Sequence, residues 1–327
     1  MSSRSPMRRR PAGRRRPGRL RRTLLAALVT TAVVLPLSAA AAAPGVPAPA
    51  AETFSEAAAS EERYAANLAN LARAAAMAEE SGRPGRAAKL QEMAAGGSAQ
   101  FLAFDGRGTG RAVEVFGSLR SADRVAVLVP GSDTTLDTYQ RFRAGAVALQ
   151  QRLEREHPRS AVVAWLGYDT PGTVSTTVAT TGRADVAARQ LAPFLRQLQD
   201  LSGPSTRLSL LCHSYGSVVC ARTSTGPAVT DIALFGSPGT GAGTAAELPT
   251  GARVWAGRGR GDWIAWVPHV RVAGVGFGTD PVDPAFGARH FAAGTAGHSD
   301  YLKPGTESLD SLARIVLGTT AQEASHA

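Results

Sequence analysis

RLSLLCHSYGSVV, residues 207–219, is the stretch on which the fold turns. Its first half is mostly apolar, as in a strand buried on both faces of a sheet. His213 and Ser214 follow, and a helix-compatible run begins at Tyr215. A serine set on a tight turn between a buried strand and a helix presents its hydroxyl at the end of the sheet. Its neighbours must be small, because strand and helix pass close to one another there. Gly216 meets that need, and Cys212 stands where the other small residue, commonly glycine, belongs. Backbone amides at the start of the helix point toward the serine, where an oxyanion is stabilised. The pattern predicts Ser214 as a nucleophile and the Tyr215 amide as one oxyanion donor.

A nucleophilic serine needs a base, and the base needs an acid to orient it. The chain has six histidines: His157, His213, His269, His290, His298 and His326. His326 lies in the tail and His157 at a charged helix end. His213 adjoins the nucleophile and is expected as a wall of the site, because alternate residues of a strand face opposite ways. The order serine, acid, histidine selects His298, in a loop between the last expected strand and the last helix, with His290 and His269 behind it. Asp262 directly follows a core strand in VWAGRGRGDW (254–263) and is the expected acid. Asp280 and Asp283 sit in proline-flanked turns, where aspartate is ordinary. The second oxyanion donor is expected from VPGSDTT (129–135), at the Ser132 amide.

Around these residues, short apolar runs alternate with helical patterns. Strands are expected at 101–105 and 112–119, flanking the glycine-rich turn GRGTGR, and at 124–130, 161–168, 207–213, 231–235, 253–257 and 289–293. Helices are expected at 136–156, 183–201, from 215 onward, and at 309–317. Strands alternating with helices after an opening hairpin imply an α/β fold with a mostly parallel sheet covered on both faces. Upstream, residues 44–52 read as a linker. Tyr64, Leu68 and Leu71 make one stripe of a helix running from 54 to about 80, and a shorter helix reaches 95. This segment, 53–97, is either a packing appendage or a lid. The glycine-rich stretches GTGAGT (239–244) and GVGFGTD (274–280) do not fit a dinucleotide fingerprint and read as loops around the site mouth.

Of the 36 Lys and Arg, ten arginines fall within the first 22 residues, and the remainder balances the 26 acids. A nucleic-acid binder keeps its charge on the folded part, so this distribution argues against one. The arginines precede an apolar run at 24–37 and the alanines 39–43, which together read as a secretory signal over 1–43. Arg21-Arg22-Thr23-Leu24-Leu25 has the look of a twin-arginine signal, although Leu20 replaces the usual polar residue. The alternative is an uncleaved anchor, against which the two threonines, the proline and the alanine-rich end weigh. After cleavage no stable membrane span is expected; residues 321–327 form a tail. Cys212 and Cys220 either pair or are two buried small hydrophobes.

The motifs VPGSDTT (129–135), WLGYDTPG (165–172), LLCHSYGS (210–217), FGSPGTG (235–241), GDWI (261–264) and GHSDY (297–301) carry a resemblance. From about Phe101 to Gly318 the chain resembles the α/β-hydrolase fold, within an exported actinobacterial group first catalogued as a domain of unknown function. The resemblance implies eight strands, a triad of Ser214, Asp262 and His298, and no cofactor. Asp169, in one of the shared motifs, either lines the site or caps its loop. The expected substrate is a small-molecule or lipid ester held in an apolar pocket, for which Trp263, Trp266, Phe277 and Phe286 are candidates. A peptidase or amidase on the same triad, or a non-catalytic surface module of the same fold, are the alternatives.

Overall fold

The computed structural model describes residues 46–55, 58–95, 99–272 and 274–320. The expected signal segment and the tail with His326 lie outside the described residues. Eight strands form one sheet: β1 (Gln100–Asp105), β2 (Arg111–Phe116), β3 (Arg124–Val129), β4 (Ser160–Leu166), β5 (Arg207–His213), β6 (Val229–Phe235), β7 (Arg253–Gly257) and β8 (Arg289–His290). Their order is β1-β2-β4-β3-β5-β6-β7-β8. The β1–β2 and β2–β4 pairs are antiparallel and the others parallel. The sheet is therefore eight-stranded and mostly parallel, as expected.

Strands covered on both faces must be apolar throughout, and all seven residues of β4 are buried. Alternate residues of the central strands feed two separate cores. Val125, Val127 and Val129 pack with helix α4 (Gly182–Ser202) through Ala187, Leu191 and Leu198. Ala126 and Leu128 face the other way, toward α3 (Tyr139–Glu154) and α6 (Glu307–Leu317), where Leu149, Leu312 and Ile315 meet them. Two-residue strand periodicity thus sorts one sequence into two helical layers. Helix α6 is well terminated: Thr306 accepts a hydrogen bond from the Leu309 amide, and left-handed Gly318 ends it.

Helices α1 (Ser60–Glu80) and α2 (Pro84–Ala94) form a third cluster at the β1 edge, with Leu71, Leu90 and Met93 against Phe101 and Phe104. Asn67 Nδ2 donates to the Phe101 carbonyl at 2.9 Å. These helices cover an edge strand that would otherwise expose its backbone. Of the two roles open to this segment, its described residues take the packing one. None of them lines the large cavity described below, whose walls begin at Leu128. Among the described residues no helix is long and apolar enough to cross a membrane.

Several element ends differ from the sequence expectation. The first helix starts at Ser60 rather than near 54. Strand β2 stops at Phe116 because Gly117 takes a φ of +87°, which turns the chain away before Leu119. Helix α3 begins at Tyr139 rather than 136, since the Leu136 amide donates instead to the Thr109 carbonyl at 3.0 Å. Strand β8 keeps only two residues of the five expected.

Candidate active site

The central parallel strands reverse their order around β3, and the loops leaving β3 and β5 meet at their carboxyl ends. Open α/β sheets place ligands at such a switch point. Ser214 follows β5 with φ 52° and ψ −123°, and helix α5 (Tyr215–Ala221) starts at the next residue. A non-glycine residue in this region is strained and persists only where its surroundings hold it. The hold is visible here. The Ser214 amide donates to the Phe235 carbonyl at 2.9 Å. A Cβ on Gly216 would lie 2.5 Å from the Val129 carbonyl oxygen, so only glycine lets α5 pass β3 this closely. Cys212 is joined to Cys220 by a disulfide, which ties the strand before the serine to the last turn of α5. This accounts for cysteine at the place where glycine is usual.

His298 Nε2 lies 3.0 Å from Ser214 Oγ, and His298 Nδ1 lies 2.9 Å from Asp262 Oδ1. Asp262 Oδ1 also accepts from the Ile264 amide at 2.8 Å, and Oδ2 accepts from the Tyr301 hydroxyl at 2.6 Å. Tyr301 in turn accepts from the Gly259 amide at 3.1 Å. Burial alone would raise the Asp262 pKa, but hydrogen bonds from His298, Tyr301 and the Ile264 amide outweigh it and hold the carboxyl below its ordinary value. Burial, and then the bond to Asp262, raise the Tyr301 hydroxyl, keeping it a donor. The carboxylate is therefore charged, with both its oxygens aimed.

The imidazole is held on its flanks as well. The Trp263 ring centroid is 4.5 Å from that of His298, and the His213 centroid is 4.8 Å away on another side. His213 Nε2 donates to the His298 carbonyl at 2.7 Å. Burial and the neighbouring His298 push the His213 pKa down to about 3, so it stays neutral and keeps its donor proton. His213 lines the cavity, as expected of a wall residue.

Ser132 and Tyr215 both line the same cavity beside Ser214. The loop after β3 is braced there. Asp133 takes a φ of 58° and accepts from the Thr173 amide at 3.1 Å, while its own amide donates to the Pro171 carbonyl at 3.0 Å. Tyr168 donates to the Pro130 carbonyl at 2.7 Å. A Cβ on Gly131 would sit 2.6 Å from Ser214 Cβ, so the loop and the serine are in contact. The cavity encloses about 1140 Å³, and its walls include Phe142, Val178, Trp263, Ile264 and Phe277. That volume is at or above the top of the roughly 300–1,000 Å³ usual for small-molecule sites.

The rival residues are placed elsewhere. Asp280 pairs with Arg258, and His269 Nε2 is 3.7 Å from it. Asp283 caps a turn through the Ala285 amide at 2.8 Å. His290 is exposed on β8, and His157 bonds Asp123. Asp169 accepts from Thr109 Oγ1 and Arg111 Nη2, so it ties the loop rather than lining the site. Of the four aromatic candidates, Trp263 and Phe277 line the cavity. Trp266 is 87% exposed, while Phe286 is buried in the core. Of the two glycine-rich loops, 274–280 lines the cavity through Val275, Gly276 and Phe277, whereas none of 239–244 does; the two are joined where the Thr240 and Gly241 amides donate to the Phe277 carbonyl. Among the described residues no group of three or more His, Cys, Asp or Glu is placed to hold a metal ion. Sequence reasoning missed Tyr301 and the bracing role of Asp133. Tyr301 stands three residues after His298 in GHSDY and Asp133 beside Ser132, so adjacency to selected residues was the available signal.

A family model described as Alpha/beta hydrolase matches residues 105–272, just over half of the chain. An uncharacterized protein of Mycobacterium tuberculosis (strain H37Rv) is 31% identical over 251 residues, covering 66% of this chain and 38% of that protein. An uncharacterized protein of Mycobacterium bovis is 32% identical over 143 residues, 40% of this chain and 53% of the other. The chain thus spans between 38% and 53% of the length of these curated relatives. Among solved structures, an esterase of Mycobacterium marinum superposes with a TM-score of 0.42 at 17% identity, covering 76% of this chain and 90% of that one.

Proposed function

The chain belongs to the alpha/beta hydrolase family, and on that footing we propose that it is an exported serine hydrolase cleaving carboxylic esters through an acyl-enzyme. One observation carries the reading: Ser214, His298 and Asp262 form a continuous hydrogen-bonded chain that opens into an apolar cavity. Ser214 Oγ attacks the ester carbonyl while His298 Nε2 takes its proton. Asp262 accepts the Nδ1–H bond, fixes the tautomer and stabilises the imidazolium that forms. The Ser132 and Tyr215 amides bind the oxyanion of the tetrahedral intermediate. His298 then returns the proton to the departing alkoxide, which leaves the acyl group on Ser214. Water, deprotonated by the same histidine, releases the acid. Esters are favoured over amides because an alkoxide leaves more readily than an amine, and the apolar walls suit an acyl chain.

Export is supported by the basic and apolar N-terminal segment and by the Cys212–Cys220 bridge, since disulfides persist in oxidising compartments. Turnover of chromogenic acyl esters by the purified protein tests the activity. Ser214→Ala should lower kcat by about 10⁶-fold and abolish labelling by an organophosphonate. Labelling that persists in that variant would place the nucleophile elsewhere.

A further inference from the structure

Apolar side chains left in water are ordinary when scattered and informative when they cluster. All but one of the exposed large hydrophobic residues among those described belong to two loops: Val174 in one, and Trp263, Trp266, Val270, Val272 and Val275 in the other. They are not loosely placed. Trp263–Trp266 forms a tight turn capped by Asp262. Val272 and Val275 exchange backbone hydrogen bonds of 2.9 and 3.0 Å, making a small tip. That tip is tethered where the Gly276 amide donates to the Ala179 carbonyl at 2.8 Å and where Arg271 Nη1 donates to the Gly241 carbonyl at 2.8 Å. The protein thus holds apolar groups outward.

This rim is continuous with the cavity. Trp263, Val270, Val272 and Val275 also line it, as does Thr173 beside Val174. No carboxylate occurs from position 263 to 279 or from 170 to 182. A small soluble ester occupies only part of the cavity and gains nothing from the surface outside it. A long aliphatic chain leaving a lipid aggregate gains over the whole path, because the rim replaces the apolar neighbours it loses. Tryptophans at the boundary suit a surface that is apolar on one side and wet on the other.

We propose that this hydrolase takes esters of long aliphatic chains directly from a lipid surface. The Trp263–Trp266 turn, the Val272–Val275 tip and the Val174 loop rest on that surface, and the cavity receives the chain. The proposal rests on Ser214 as nucleophile and names the substrate class of that site.

The test combines p-nitrophenyl esters, from acetate to palmitate, with flotation of the protein on phosphatidylcholine vesicles. The expected kcat/KM rises by about fourfold per added methylene until the cavity is filled. The rate should also step up where the ester begins to aggregate. Flotation should survive about 1 M salt, at which exposed charges are screened within about 3 Å. In Trp266→Ser combined with Val174→Ser, vesicle affinity should fall about tenfold or more, since two large apolar side chains are then lost from the lipid contact. Acetate hydrolysis without any gain from longer chains would overturn the proposal and leave the nucleophile standing. Vesicle binding indifferent to the double substitution would also overturn it, as would a dimer in sedimentation that the substitution dissolves. Absence of acetate turnover together with absence of Ser214 labelling would instead remove the catalytic reading. Flotation needs no turnover and reports on the rim separately.

Discussion

Ser214 and His298 meet at 3.0 Å, yet the two sides of that contact are built by different means. The serine side is local. Residues 212–216 contain the half-cystine, the positive φ and the glycine that lets α5 pass β3, all within one turn of chain. The histidine side is assembled from distance: Asp262 and His298 are 36 residues apart, and Tyr301, Gly259 and His213 close a polar network around them. Steric geometry positions the nucleophile, and hydrogen bonding positions the base. The first side should tolerate polar change and resist added volume, while the second should do the reverse.

The strongest challenge to the network side is Asp262→Asn, which keeps the shape and removes the charge. With the wrong histidine tautomer favoured, kcat should fall about 10⁴-fold while the thermal transition stays cooperative, as ester turnover and calorimetry would record. On the serine side, Cys212→Ala with Cys220→Ala should cost about 2–3 kcal/mol of stability, the chain-entropy expectation for so short a loop. Denaturant unfolding measures this. If the elbow is sterically set, kcat should change far less than stability.

Tyr301→Phe is a subtler probe. Losing a hydrogen bond to a charged carboxylate should cost about tenfold in kcat. It should also move the acid limb. Asp262 is held below its ordinary value, so its stabilising contribution is present above the unfolded pKa and lost as pH falls through the folded one. Without the tyrosine the folded value rises, and both activity and stability should fail at higher pH than in the native protein. A merely structural tyrosine would leave that limb in place.

The effect of His213 is confined to acid pH. Its folded pKa near 3 lies below its ordinary 6.5, so the unfolded chain binds the proton first and stability declines as pH falls between those values. His213→Gln, which keeps an N–H for the His298 carbonyl, should flatten that decline. The slope difference is at most about 1.4 kcal/mol per pH unit. Melting temperatures across the acid range would show it.

Much of the fold was legible because buried strands read as apolar runs; β1 and β3 to β7 match such runs to within two residues, while β2 ends three residues before the expected 119. Strand β8 was overestimated, since only Arg289 and His290 pair with β7 before the chain turns away. The serine was legible because its turn imposes small residues at set spacings. Asp262 was distinguishable from Asp280 and Asp283 only through its position after a core strand. Tyr301 was not legible, because a tyrosine three residues past a histidine has no local geometry of its own. Trp263 and Trp266 lie three apart in one turn, yet one lies against His298 and the other extends into water.

Read alone, the chain therefore determines which serine stands on the turn and which segments form the sheet, because sterics and strand burial act over a few residues. It also separates the ten N-terminal arginines from an otherwise balanced chain. Which carboxylate meets which imidazole, which tyrosine aims that carboxylate, and that Trp263, Val270, Val272 and Val275 are at once exposed and walls of one cavity were decided by the tertiary structure. Hydrogen bonds reach only about 3 Å, and partners 36 and 84 positions apart come within that range only after the sheet has brought its loops to one edge.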